Sequence, residues 1–269
     1  MRDDPASLSI GVAGALGPDL IGRLAPVIER EGFATLWVND TPDGDAISAL
    51  AAAARTTSTL RLATGVVALD RRPAGAIIDE LADSGIPDER LVFGIGSGAA
   101  RHGQLELVRH GIHRLREARP DARVFVGALG PRMRALGARH AHGVLLNWLP
   151  PQVAGAQRDE AREVSADAHV AVYVRTALDD AAVPRMREDA ERYAGYPAYA
   201  ANFARLGVGV FDTTLPGEGG GDVAARLGAY RAAADEVVLR AVVAADDLRS
   251  YEEFVVRAAS LADRTEGRS

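Results

Sequence analysis

The chain has 269 residues, an apolar fraction of 48% and a net charge of −6. All 31 lysine-or-arginine positions are arginine and cysteine is absent, which excludes Schiff-base lysines, a P-loop lysine, disulfides, thiolate catalysis and cysteine-bound metals. The acidic balance argues against general nucleic-acid binding. The start, MRDDPASLSI, does not read as a signal peptide, and no apolar run reaches the roughly 20 residues that span a bilayer; a cytoplasmic protein without a membrane partner is expected.

In chain order, Leu8–Val12 reads as a short buried strand running into the glycine-rich turn Gly14–Gly17. Pro18 opens a helix with Leu20, Leu24, Val27 and Ile28 on one face, stopped at Gly32. Ala34–Asp40 is the second strand, followed by the alanine-rich helix Ala46–Arg55. Leu60–Leu69 is the third strand, with Gly65 inside it, and Pro73–Asp83 the next helix. Leu91–Gly98 is the fourth strand, and Leu105, Val108, Ile112 and Leu115 give the stripe of another helix. Arg123–Leu129 is the fifth strand. Gly130-Pro131 then starts a helix, since proline is tolerated where its missing N–H would have no partner. Val144–Leu149 is the sixth strand and His169–Leu178 the seventh. Helices over Val183–Tyr193 and Pro197–Leu206, a glycine loop at Gly217–Asp222 and a helix over Val223–Ala233 lead to the eighth strand, Glu236–Val243. Tyr251–Ala262 closes as a helix.

Eight apolar strands alternating with helices at roughly 25-residue spacing predict an α/β fold, a single-domain (β/α)8 TIM barrel over residues 1–269. A doubly wound open sheet is the competitor, and the count of eight decides against it. In such a barrel the chemistry sits at the carboxyl ends of the strands. Those ends are rich in glycine and poor in titratable groups, with Asp40, Asp70, Arg71, Arg72, Arg175 and Arg240 as the charges near the mouth. That suits a large flat ligand held by backbone amides and arginines. It does not suit a hydrolase, which needs a nucleophile and base or a metal cage.

TLRLATGVVALDRRP followed by RLVFGIGSG resembles the third and fourth strand region of the bacterial luciferase-like superfamily. FVGALGPRMRALGARHAHGVLLNWLPP is similar to the corresponding stretch of its deazaflavin branch, which includes methylenetetrahydromethanopterin reductase-like enzymes that use coenzyme F420. EGFATLWVND resembles the family's first helix exit and second strand. The likeness covers most of residues 8–178 and implies a compact luciferase-like barrel.

Carried over by position, the resemblance implies a non-prolyl cis peptide at Gly65-Val66, with Gly65, Val66, Val67 and Gly96 against the cofactor ring. It places the cofactor phosphate at Gly127, Ala128, Gly130, Pro131 and Arg132, where a helix N-terminus gives a physical reason. Asn147 and Trp148 are candidates for the ring edge and for stacking, with interior packing as the competing reading of Trp148. Family members often carry an Asp-His pair at the second strand end. Here it aligns with Asp40-Thr41, so the histidine is missing, and Asn39 and Asp40 are left as the candidate catalytic residues, able to hydrogen-bond the ring or substrate. A solvated turn with Asp40 capping the next segment is the competing reading.

Simpler readings stand beside these. Gly94–Gly98 is an imperfect Rossmann fingerprint, with its third glycine misplaced. His140 and His142 have a metal-like spacing but lie away from the mouth, and no metal site is expected. Arg71-Arg72 is a surface pair by default. The expected activity is an oxidoreductase that binds coenzyme F420 and exchanges a hydride with a small organic substrate. The alternatives are FMN with monooxygenase chemistry, or a degenerate barrel that only binds cofactor. A homodimer is expected from the resemblance alone.

Overall fold

Strands buried on both faces need continuous apolar runs, and the expected runs pair side by side in sequence order. In the computed structural model, which describes residues 6–266, they are β1 (Ser7–Ala13), β2 (Thr35–Asn39), β3 (Arg61–Thr64), β4 (Leu91–Gly96), β5 (Arg123–Gly127), β6 (Gly143–Asn147), β7 (His169–Thr176) and β8 (Glu236–Ala241). Every neighbouring pair is parallel, and β8 pairs both β7 and β1, which closes the barrel. The open sheet is thereby ruled out. Helices α1 (Gly17–Arg30), α2 (Ala46–Ala54), α3 (Ala74–Ala82), α4 (Gln104–Ala118), α5 (Pro131–His140) and α6 (Pro151–Val164) follow the first six strands. α7 (Val183–Ala194), α8 (Pro197–Leu206) and α9 (Val223–Ala233) lie between β7 and β8, and α10 (Leu248–Glu266) ends the chain. No helix among the described residues is long and apolar enough to cross a membrane.

Two cores result. The larger lies between strands and helices, and the smaller fills the barrel interior with Trp37, Phe125, Leu145, Tyr173 and Val238 among others. Glu236, at the start of β8, is buried in the lower layer of that interior. It accepts from Ser9 Oγ at 2.5 Å and Trp37 Nε1 at 2.7 Å, and its other oxygen lies 3.4 Å from His169 Nε2. Burial alone would raise its carboxyl. His169, Ser9 and Trp37 outweigh that and hold it at about 2.

The third strand differs from its expected form. It does not run unbroken from Leu60 to Leu69; it stops at Thr64 and resumes as the short piece Val67–Ala68, which also pairs with β4. Between them the Gly65-Val66 peptide is cis. At the break a side chain replaces the ladder: Thr64 Oγ1 donates to Gly94 O at 2.9 Å and accepts from Gly94 N at 3.0 Å. Only glycine fits at 94, because a Cβ there would collide with the Thr64 carbonyl.

Elsewhere, local chemistry repairs local defects. Pro26 lies inside α1 and removes the N–H that would bond Gly22 O; Thr56 Oγ1 donates to that carbonyl instead, at 2.8 Å. Helix α6 has no counterpart among the expected elements. Its inner face is small or polar, with Ala154, Gln157 and Ala161 buried, and Gln157 Oε1 accepts from the buried Arg134 of α5 at 3.0 Å.

Candidate active site

The mouth is organised by Asn39, the last residue of β2. Its amide nitrogen donates to the carbonyl of Gly65, at the bulge of the third strand. Its amide oxygen accepts from Tyr173 Oη at 3.0 Å and from Arg240 Nε at 3.1 Å. One half-buried side chain thus ties together the ends of β2, β3, β7 and β8. Tyr173 is buried, which raises its phenol to about 12 against the opposing pull of Arg240 and Arg175, so it remains a neutral donor.

Asp40 does something different from its neighbour. Its side chain is only 2% exposed and pairs with both Arg71 and Arg72, while the Ala46 N–H lies 3.4 Å from Oδ1. Arg72 also reaches Asp45 and Glu80. This corrects two expectations. Asp40 is an ion-paired anchor for the loop before α2, with its carboxylate already engaged, and Arg71-Arg72 is not a free surface pair. Thr41 has a buried hydroxyl with no hydrogen-bond partner among the described residues.

From β3 to β5 the rim is lined by backbone and small side chains. Gly65 and Gly96 are buried, and Val66, Ser97, Gly127, Leu129 and Gly130 are half-exposed. Val67 is buried against the core and faces away from this rim. A Cβ at Gly127 or Gly96 would lie 3.1 Å from a Val66 methyl group, so a side chain at either position would have to displace Val66. Gly130 is the N-cap of α5 and Pro131 its first residue; no side chain caps this end, and a Cβ at Gly130 would meet nothing. Ala128 N donates to Leu145 O at 3.2 Å, which fixes the loop, and Arg132 is exposed. Gly137, one turn deeper, lets α5 pack closely on Val126 and Val144.

The β6–β7 side of the mouth is filled by the protein itself. Trp148 follows β6 with φ 56°, an unfavourable conformation for a bulky residue, and is 1% exposed. Its ring packs against Tyr193 at 4.9 Å and Phe203 at 6.4 Å, with the Arg175 guanidinium over it at 4.4 Å. Of the two readings of Trp148, interior packing is the one its surroundings match. Arg175 is buried too, bonded to Asn147 Oδ1 at 3.0 Å and Asp189 Oδ2 at 3.2 Å. Asn147 is therefore engaged on its oxygen side. From α8, Arg205 donates to the Leu129 carbonyl at 3.3 Å and so ties the fifth-strand loop to this aromatic block.

Tyr173 and the roles of Arg240 and Arg175 were not legible in the sequence, since Asn39 lies 134 residues from Tyr173 and 201 from Arg240, and Asn147 lies 28 from Arg175. His102, which from the sequence alone could approach the site, is exposed, as are His110 and His113 on α4, and His142 Nδ1 accepts from the Val124 amide at 2.9 Å. No group of three or more His, Cys, Asp or Glu among the described residues is placed to hold a metal ion.

With this geometry in view, comparison with known proteins is specific. A sequence model of the luciferase-like monooxygenase family matches residues 9–118. No curated protein matches the chain in sequence. Among solved structures, the coenzyme F420-dependent tetrahydromethanopterin reductase from Methanopyrus kandleri aligns with a TM-score of 0.71 at 17% identity, over 94% of this chain and 98% of its own. An F420-dependent secondary alcohol dehydrogenase, solved with an F420–acetone adduct, aligns at 0.67 and 14% identity, over 94% and 98%. EDTA monooxygenase from Chelativorans sp. BNC1 aligns at 0.66 and 12% identity, over 97% and 94%. At such identities the likeness speaks for the fold. Together they make the chain a (β/α)8 barrel whose first four strand–helix units are similar to the luciferase-like monooxygenase family.

Proposed function

We propose that this protein is an oxidoreductase that holds coenzyme F420 at the carboxyl end of its barrel and exchanges a hydride with a small organic substrate. The observation that carries the reading is the Asn39 junction beside an open, glycine-lined rim. It fixes the Gly65 carbonyl next to a surface of backbone and small side chains, as a flat ring requires. Two features support the fit of the group. The Thr41 hydroxyl is a buried polar atom without a partner, and the uncapped α5 start opens on empty space at Gly130.

In this reading, Gly65, Val66 and Gly96 offer a flat backing for the ring. Gly127, Ala128 and Gly130 present the α5 N-terminus to a phosphate, where unpaired backbone N–H groups and the helix dipole favour an anion. Pro131 presets the first turn of that helix, and Arg132 adds a positive charge at the rim. Asn39, and not Asp40, orients polar groups at the ring edge. The bound coenzyme supplies the hydride chemistry, while the chain supplies position and electrostatics. Tyr173 and Arg240 keep the Asn39 amide in one orientation.

Titration of the purified protein with oxidised F420 and with FMN, read by ligand fluorescence, tests the reading. Saturable micromolar binding of F420 supports it. Preferential binding of FMN moves the reading to the monooxygenase side of the family, and binding of neither removes it. F420 binding without hydride exchange across a panel of alcohols and reductants would leave a binding protein only.

A further inference from the structure

Beside the mouth lies a cavity of about 430 Å³ that the cofactor reading does not use. Its floor is formed by the ends of β1 and β8, at Ala13 and Ala241, and its outer wall by α7 and the start of α10. Arg240 lies on its inner wall. That guanidinium is half-buried, spends Nε on Asn39 and one terminal nitrogen on the Ala241 carbonyl, and has no carboxylate within ion-pair distance among the described residues. Of the other charges of the wall, only Glu188, which is exposed, has no ion pair among the described residues. Arg185 pairs with Asp246, which also accepts from Tyr251 Oη at 2.9 Å, and Asp189 is shared by Arg192 and Arg175.

A half-buried cation without a counter-ion is costly unless a ligand supplies one. We infer that this cavity is the substrate pocket and that Arg240 takes the carboxylate of a singly charged organic acid. The assignment rests on the oxidoreductase reading of the mouth and adds the class of substrate. Proximity supports it, because Arg240 on the cavity wall and the Gly65 carbonyl at the rim are bonded to the same Asn39 side chain, so one residue separates a carboxylate on Arg240 from the ring surface. Charge selects the class. Arg185 and Arg192 are spent on Asp246 and Asp189, so Arg240 can match one negative charge, while the second charge of a phosphate monoester finds no further free cation in the wall and faces Glu188.

The test needs no coenzyme. Calorimetric titration of the full chain with hexanoate, hexanamide and hexyl phosphate should show hexanoate binding about tenfold or more tighter than the isosteric amide, and tighter than the phosphate. Arg240→Met should abolish the preference for acid over amide, and Arg240→Lys should keep part of it. Equal binding of hexanoate and hexanamide, a preference that survives in Arg240→Met, or stronger binding of hexyl phosphate would each overturn the assignment. If Arg240→Met fails to fold, the wild-type comparison and Arg240→Lys still decide. Failure of F420 and FMN to bind would defeat the oxidoreductase reading while leaving this acid-against-amide measurement intact, so the two failures are distinguishable.

Discussion

Thr64 and Gly94 exchange two hydrogen bonds through the threonine hydroxyl at the place where β3 and β4 lose their backbone ladder. Both residues are buried, so removing the hydroxyl strands an N–H and a carbonyl in the barrel wall. Thr64→Val, nearly the same in shape, should lower stability by about 1–3 kcal/mol. Urea unfolding of the two proteins checks this; a change under about 0.5 kcal/mol would mean that the wall relaxes to pair Gly94 elsewhere.

Gly130 separates binding from folding. An added side chain there meets nothing, and φ of −105° is open to any residue. Gly130→Val should therefore leave the melting temperature nearly unchanged while it crowds the α5 start and weakens F420 binding by about tenfold or more. Fluorescence titration beside a thermal melt reads both quantities. Unaltered affinity would remove the phosphate assignment.

Asn39→Asp tests the junction. The aspartate still accepts from Tyr173 and Arg240 but cannot donate to Gly65 O, and places negative charge against that carbonyl. Coenzyme affinity should fall more than stability does. A variant that binds F420 as tightly as the parent would show that the Gly65 carbonyl needs no fixing.

Glu236 gives the barrel a defined acid sensitivity. Its folded-state value of about 2 lies below the ordinary 4.5. Its contribution is therefore complete above pH 4.5 and fades as the pH falls towards 2, with an integrated size on the order of 3 kcal/mol. Glu236→Gln should cost most at pH 7, and the gap from the parent should narrow between pH 4.5 and 2. Chemical unfolding at pH 7, 4 and 3 checks the slope; a gap independent of pH would sink the argument.

The barrel was legible in the chain because buried parallel strands must be apolar without interruption, and LVFGIG or GVLLN cannot serve a half-exposed sheet. Helix α6 escaped because its inner face depends on Gln157 meeting Arg134 from another helix, and periodicity of apolar residues cannot show that. The break in the third strand was legible only through the family resemblance. Within the site, the glycine rim could be read, whereas the duties of Asn39 and Asp40 could not. Adjacent in sequence, one points to partners on three other strands and the other to two arginines from the next loop. Glu236 is, in sequence, only the first residue of the expected eighth strand; closure of β8 on β1 and β7 puts it beside Ser9, Trp37 and His169.

The block built by Trp148, Tyr193 and Arg175 makes the bowl lopsided. In the proposed function a planar guest has one side of the rim to lie on and one flank, at Arg240, from which to be met by a second molecule. The filled half of the bowl would then seat the two in a fixed order around the circle.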